Sequence, residues 1–369
     1  MALFGFSLLA FFASLVFCRL LIKVAPKDAP DDDRKVQSVA VPTSGGLAIA
    51  AAIFLPWMIY LITHPTIWVD SAIEGFGYGA AQIFAENNGN YLVLLGFIAL
   101  TIGAIDDRFM LPARLKLAIL AGAALLVSFL GEYVGGIFLP HVHSYVIIAS
   151  WIGIGGTALW LFVVMNATNF MDGSNGLAMG TLAIMLLGVS TKLGINVNPV
   201  ATTEIFAEIS SLPFFAVFGT LTTAAILGFL FWNLQGKLYA GDAGSLFGGA
   251  VLASLGIYAA QDGNIWFPAT LALPFLVDVF MTLIWRARAG HNLLTPHRHH
   301  AYQLFIRAGW GHIRTALLWW ALAAICAVAG LWAASESKSM SAWVFFGLLG
   351  AGCALWLWQR RVYGPRASA

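Results

Sequence analysis

Charge is what this 369-residue chain has least of: Asp, Glu, Lys and Arg together make up 10% of it, against about a quarter in an ordinary soluble domain. So little charge excludes a water-soluble globular protein. The net charge is only +2, and no basic run is long enough for a nucleic-acid patch, so a nucleic-acid partner is excluded too. Cysteine is scarce: Cys18, Cys326 and Cys353 all fall in apolar segments without metal-ligand spacing, and read as small buried hydrophobes. No internal repeat at a fixed period and no low-complexity tract is present. The first seventeen residues have no cationic region ahead of their apolar run, since Arg19 and Lys23 follow it, so they read as a retained first span rather than a signal peptide.

What the chain has instead is hydrocarbon: 60% of its residues are hydrophobic and the mean hydropathy is +0.83. Apolar stretches long enough to cross roughly 30 Å of lipid begin near residues 3, 44, 90, 115, 145, 175, 211, 244, 266, 314 and 342. The expected fold is therefore all-α: a polytopic membrane bundle of about eleven transmembrane helices, forming a single domain over 1–369 with a substrate-binding loop at 286–313.

The joints between these spans alternate in charge. Odd-numbered joints hold Lys23, Lys27, Arg34 and Lys35, then Arg108, Arg114 and Lys116, then Lys237, then Arg286, Arg288, Arg298, Arg307 and Arg314. Even-numbered joints hold Asp70, Glu74, Glu86, Glu204 and Glu208. By the positive-inside rule the odd joints are cytoplasmic, the N-terminus is external, and the C-terminal Arg360, Arg361 and Arg366 lie inside. The external face should carry little but short turns, apart from a long second joint at about 64–89.

Three polar knots interrupt the apolar sequence: Asp106-Asp107-Arg108, the run from Asn166 through Asn169 and Asp172 to Gly176, and Gly241-Asp242-Ala243-Gly244-Ser245. None can face lipid, so each sits at a helix end or lines a cavity, and all three fall on joints assigned to the cytoplasm. Helix capping would account for any one of them. Three on one face, flanked by Gly173, Gly176, Gly241 and Gly244, which would let backbone and ligand approach closely, favour a site.

The oxygen set of Asp106, Asp107, Asp172, Asp242 and the neighbouring amides suits magnesium, which takes one or two carboxylates and completes its shell with water and substrate phosphates. Cationic partners are Lys116, Arg34, Lys35 and the loop His297-Arg298-His299-His300; five of the eight histidines lie between His291 and His312. Phosphate binding by imidazolium, Arg298 and backbone groups suits this loop better than a zinc site without cysteine; a basic loop answering anionic lipid headgroups is the bland alternative. Asp278, deep in the ninth span, is either functional or a bundle-holding residue, and Pro274 nearby could open its helix.

Taken together these residues resemble the polyprenyl-phosphate N-acetylhexosamine-1-phosphate transferase family, which starts O-antigen, teichoic acid, peptidoglycan and dolichol-linked lipid intermediates. The resemblance covers nearly the whole chain and rests on Asp28-Ala29-Pro30 through Lys35, Pro42 to Gly46, Asp106-Asp107 with Lys116, Asn166 to Gly176, Phe231-Trp232-Asn233 leading to Asp242, and His297 to His300. It implies transfer of an N-acetylhexosamine-1-phosphate from a UDP-sugar to undecaprenyl phosphate, releasing UMP, at the cytoplasmic side of an inner membrane, with magnesium as cofactor and manganese tolerated. A lipopolysaccharide O-antigen or another surface polysaccharide would be the product.

Carried over by position, Asp242 and Asn169 look like metal ligands, and Asp106, Asp107, Asp172 and Lys116 like catalytic residues. Asn166, Asn169, Asn233, His297, Arg298, His299 and His300 look like substrate-binding residues. Gln37, Asn175 and Arg298 depart from the commonest bacterial pattern, and the stretch from His297 to Gln303 with Gly309-Trp310-Gly311-His312 is more similar to the branch that handles N-acetylated deoxyhexosamines. A homodimer is an allowed assembly. A transporter of an anionic substrate is the rival class, but it would place its polar residues near the midplane, with a repeat.

Overall fold

A computed structural model describes residues 2–28, 40–63, 89–131, 133–141, 144–195, 214–295 and 297–368. The expectations on Arg34, Lys35 and Gln37, and on Asp70, Glu74, Glu86, Glu204 and Glu208, lie outside them. The described residues form α1 (Ala2–Val24), α2 (Gly45–Thr63), α3 (Gly89–Phe109), α4 (Ala113–Leu130), α5 (Ser150–Met171), α6 (Leu177–Ile195), α7 (Phe214–Asn233), α8 (Gly241–Ala259), α9 (Trp266–Arg288), the short α10 (Ala301–Arg307), α11 (His312–Glu336) and α12 (Lys338–Ser368). Among the described residues, nine helices are long and apolar enough to cross a bilayer. The protein is a polytopic membrane protein.

The centre of the bundle is α8. Every residue from Ala243 to Ile257 is buried, and its Gly, Ala and Ser content lets neighbouring backbones approach closely, as packing between helices in lipid requires. It packs against α2, α3, α5 and α6. A Cβ on Gly46 would fall into the backbone at Ala243 and Gly244, and one on Gly103 into the backbone at Asp242 and Ala243. The N–H groups of Gly45 and Gly46 donate to the carbonyls of Tyr239 (2.9 Å) and Ala240 (3.0 Å). The glycines of the Pro42–Gly46 motif thus seat α2 on the turn that begins α8.

Two small antiparallel ladders complete the secondary structure of the described residues. In the first, β1 (Lys27–Asp28) pairs with β2 (Val41–Pro42), with Lys27 opposite Pro42. In the second, β3 (Gly136–Leu139) pairs with β4 (Ser144–Ile147). The second hairpin corrects two expectations. Residues 144–147 are strand rather than the start of the fifth span, and the end of the bundle remote from the polar knots carries a sheet as well as turns. The hairpin is tied to the α8–α9 joint: Phe138 N–H donates to the Gly263 carbonyl (3.0 Å) and the Trp266 indole donates to the Phe138 carbonyl (2.9 Å).

The expected loop from Asn166 to Gly176 is also shorter than the sequence suggested. Helix α5 continues to Met171, so only residues 172–176 are non-helical. The Asp106–Arg108 and Gly241–Ser245 knots are likewise helical, in the last turn of α3 and the first turn of α8. The 286–313 segment contains α10, and α9 runs unbroken through Pro274. The cysteines are free; Cys18 and Cys326 are buried and Cys353 is partly so.

Candidate active site

The joints that carry the polar knots meet at one end of the bundle, and α8 starts there. Gly241 has φ +69°, which turns the chain so that the first N–H groups of α8 point at the end of α3. Asp107 receives them: its Oδ1 accepts the N–H of Asp242 at 2.8 Å and its Oδ2 that of Ala243 at 3.1 Å. The first N–H groups of a helix have no partner within it, and here a carboxylate from another helix caps them and answers the positive dipole end.

Asp106, one residue earlier, faces the other way. Its Oδ1 accepts the Leu111 N–H at 2.6 Å, which fixes the turn into α4, and its Oδ2 lies 2.6 Å from the Lys116 ammonium. The same ammonium lies 2.5 Å from Oδ2 of Asp242. Lys116 therefore joins the carboxylates that end α3 and begin α8. The remaining oxygen of Asp242 accepts Asn169 Nδ2 (2.8 Å), and the same nitrogen approaches the Ser245 hydroxyl at 2.9 Å. Asp172, just past α5, completes the cluster. Burial, then the charges of Asp242 and Asp107, push its carboxyl well above the ordinary range.

The histidine loop reaches this cluster through α10. The hydroxyl of Tyr302 donates to the Phe170 carbonyl at 3.3 Å, and a Cβ on Gly173 would strike that hydroxyl. His300 stacks near Phe170, His297 on His300, and His299 on His297, with ring centroids 6.1, 5.0 and 5.5 Å apart. Arg286 bonds His299 Nδ1 at 2.8 Å, and Arg360 donates to the His299 carbonyl at 2.7 Å.

Burial and the neighbouring cations hold His297 and His299 neutral. His297 is lowered to about 3 by burial, then His300 and Arg286; His299 is lowered to about 4 by burial, then Arg286 and Arg360. At neutral pH His297 and His299 can therefore meet a phosphate as hydrogen-bonding rings rather than as cations.

Asn233 is buried and each end of its amide is engaged: Oδ1 accepts the Gly176 N–H (2.6 Å) and Nδ2 donates to the Leu238 carbonyl (2.9 Å). Asn166 is buried and donates to Phe162 of its own helix at 2.7 Å. Both amides bind backbone of the elements that frame the site. The glycines at the knots serve contacts between elements: Gly173 against Tyr302, Gly241 against Thr43 and Asp107, and Gly244 against Gly46. Ser245 was named in the third knot without a role, and Tyr302 was not placed in the cluster; one turn of helix separates Ser245 from Asp242 and puts both beside Asn169.

Residues 90–260, from the start of α3 to the end of α8, match the profile of Glycosyl transferase family 4. That segment is a little under half of the chain, and over it the chain is similar to this family. It is 26% identical over 336 residues to a probable undecaprenyl-phosphate N-acetylglucosaminyl 1-phosphate transferase of Bacillus subtilis, covering 90% of this chain and 84% of the relative. It is 28% identical to a phospho-N-acetylmuramoyl-pentapeptide-transferase of Chlorobaculum parvum (85% and 86% covered). It is also 28% identical to a decaprenyl-phosphate N-acetylglucosaminephosphotransferase of Mycolicibacterium smegmatis (78% and 70%). The protein is an enzyme of the phospho-N-acetylhexosamine transferase type, and every residue from Asp106 to Asp242 described above lies inside the matched segment.

The donor set also fits a hard divalent cation. It is made of carboxylate, amide and hydroxyl oxygens without sulfur, and reversing the Asn169 amide would present its oxygen beside Asp242. Among the described residues no three Asp, Glu, His or Cys side chains are grouped to hold a metal alone, so any cation here shares its shell with water and substrate phosphate, as magnesium prefers.

Proposed function

We propose that the protein transfers an N-acetylhexosamine-1-phosphate from a UDP-sugar to undecaprenyl phosphate at the cytoplasmic face of the inner membrane, beginning an O-antigen or another surface polysaccharide. The observation that carries this reading is the Lys116 ammonium held between Asp106 and Asp242, at a helix-end cluster that also holds Asp107 and Asp172. A diphosphate can enter such a cluster only with a divalent cation. Asp242 and Asn169 are the residues that would hold it, and when bound it neutralises charge on the diphosphate.

An oxygen of the lipid phosphate attacks the sugar-linked phosphorus; the new P–O bond forms as the bond to the bridging oxygen breaks, and UMP leaves with that oxygen. A phosphomonoester has its second pKa near 6, so the nucleophile is already mostly dianionic and needs little from a base. Asp106 and Asp107 are engaged with Lys116 and with the start of α8, which supports a positioning role for both. Lys116 supplies fixed positive charge where negative charge spreads over the transferring group.

The donor is UDP-GlcNAc or a UDP-N-acetyl-deoxyhexosamine, the second favoured by the His297–Gln303 sequence. The test is UMP release from purified protein given undecaprenyl phosphate, magnesium and a panel of UDP-N-acetylhexosamines that includes 6-deoxy sugars. The best donor names the sugar, and release from none of them sinks the reading.

A further inference from the structure

Asp278 lies in α9 with only 3% of its surface exposed. A buried carboxylate is costly unless several donors answer it, and its donors identify what it holds. Oδ1 accepts the Ala301 N–H at 2.8 Å and the Thr282 hydroxyl at 3.2 Å; Oδ2 faces the Tyr302 N–H at 3.4 Å. His300 Nδ1 stands 3.4 Å from Oδ1. Two of the donors are thus the first backbone N–H groups of α10, which follows the histidine loop directly.

A second helix holds the same turn from the other side. Gln359 of α12 donates to the Ala301 carbonyl at 3.1 Å. The turn in question presses Tyr302 against Phe170 and Gly173, next to Asp172. We propose that Asp278 is a positioning residue for the nucleotide-sugar side of the reaction: from inside α9 it fixes His300 and the first turn of α10 in register with Gly173 and Asp172. The proposal rests on the transferase reading above. Asp278 touches no reacting atom and acts through α10 and the loop.

The chemistry of replacement is specific. Asp278→Asn keeps the volume but leaves one acceptor oxygen for three donors, and its amide nitrogen would face a backbone N–H. In full-length protein in lipid nanodiscs, this variant should raise the KM for the UDP-sugar about tenfold, the ratio that accompanies loss of one charge-assisted hydrogen bond. The KM for undecaprenyl phosphate should stay within about twofold. Amide hydrogen exchange at Ala301 and Tyr302 should accelerate, and Asp278→Glu should recover part of the donor affinity.

Unchanged donor KM with unchanged exchange overturns the proposal, as does an equal rise in both KM values. If Asp278→Asn does not fold, Gln359→Met carries the test, with donor KM rising about threefold; no rise overturns the proposal. If wild-type protein turns over no UDP-sugar, the transferase reading fails, while the exchange measurement still decides whether Asp278 anchors α10.

Discussion

The carboxylate of Asp107 holds the backbone of Asp242, 135 residues away, at 2.8 Å. The side chain of one acidic residue therefore determines where the side chain of the other stands. Asp107→Ala would leave two N–H groups of α8 unpartnered and remove a charge from the positive end of its dipole, at a cost of about 1–2 kcal/mol. Thermal unfolding in detergent should shift downward, and the magnesium concentration needed for half-maximal activity should rise with it. Asp242→Asn, which also loses its ion pair with Lys116, should abolish metal-dependent turnover at every magnesium concentration, whereas Asp107→Ala should recover activity as magnesium is raised. Recovery in both variants, or in neither, would contradict this division of roles.

Lys116 is the next test, because it is the cation that lets Asp106 and Asp242 stand so close. Lys116→Met leaves two partly buried carboxylates facing each other without their counter-charge, and breaking an ion pair in this way costs about 3 kcal/mol. Turnover should fall at least about 100-fold, and the protein should lose stability in chelator more than in magnesium, since an added cation can take over part of the lost charge. Equal stability in the two conditions would separate Lys116 from the metal-binding cluster.

Glycine packing makes a different kind of prediction. Gly46→Ala places a methyl group against the backbone at Gly244, where no side chain can swing away. Overpacking of this kind costs about 1–3 kcal/mol, and here it also displaces the turn that carries Asp242. Reduced yield of folded protein together with a higher magnesium requirement is expected. Gly122→Ala, which meets nothing within 4 Å, is the control and should be neutral.

Much of this arrangement was legible in the sequence, for a physical reason. Lipid-spanning helices exclude carboxylates, so Asp106, Asp107, Asp172 and Asp242 stood out as helix-end groups, and the alternation of spans put them at one end. The extent of α5 was not legible, because Asn166 and Thr168 satisfy their polar atoms on carbonyls of their own helix, at 2.7 and 2.9 Å, and so pass inside it without breaking it. The β3–β4 hairpin was hidden because its short apolar strands read like the start of a span. The partnership of Gln359 with Ala301 left no trace in composition or spacing at all.

The histidine loop predicts a pH response. His297 and His299 have folded-state pKa values near 3 and near 4, below the ordinary value near 6.5. The unfolded chain therefore binds more protons between about pH 4 and 6.5, so the stability these neutral rings contribute is present above that window and lost as pH falls through it. Unfolding temperature should drop on acidification from pH 7 to pH 4, and a His297→Asn, His299→Asn double variant should flatten that drop. Between pH 7 and 8 neither ring changes charge, so removing them should not alter the shape of the activity profile there. A profile that loses an ionisation near 7 in the double variant would refute the neutral assignment.

The contact between Gly173 and Tyr302 gives a compensating pair. A methyl group at Gly173 collides with the Tyr302 hydroxyl, while the next ring atom, Cζ, is 3.1 Å away, a tight but tolerable approach. Gly173→Ala alone should therefore push α10 away from Asp172 and raise the donor KM, with a stability loss of about 1–3 kcal/mol. Tyr302→Phe alone removes one hydrogen bond of 3.3 Å to the Phe170 carbonyl and should cost about 1 kcal/mol. Combined, the two changes remove both the added clash and the atom it meets, so the double variant should be more stable and bind donor better than Gly173→Ala. Strict additivity of the two losses would mean that the 172–176 loop and α10 do not press on each other, and that the histidine loop reaches the carboxylate cluster by another route.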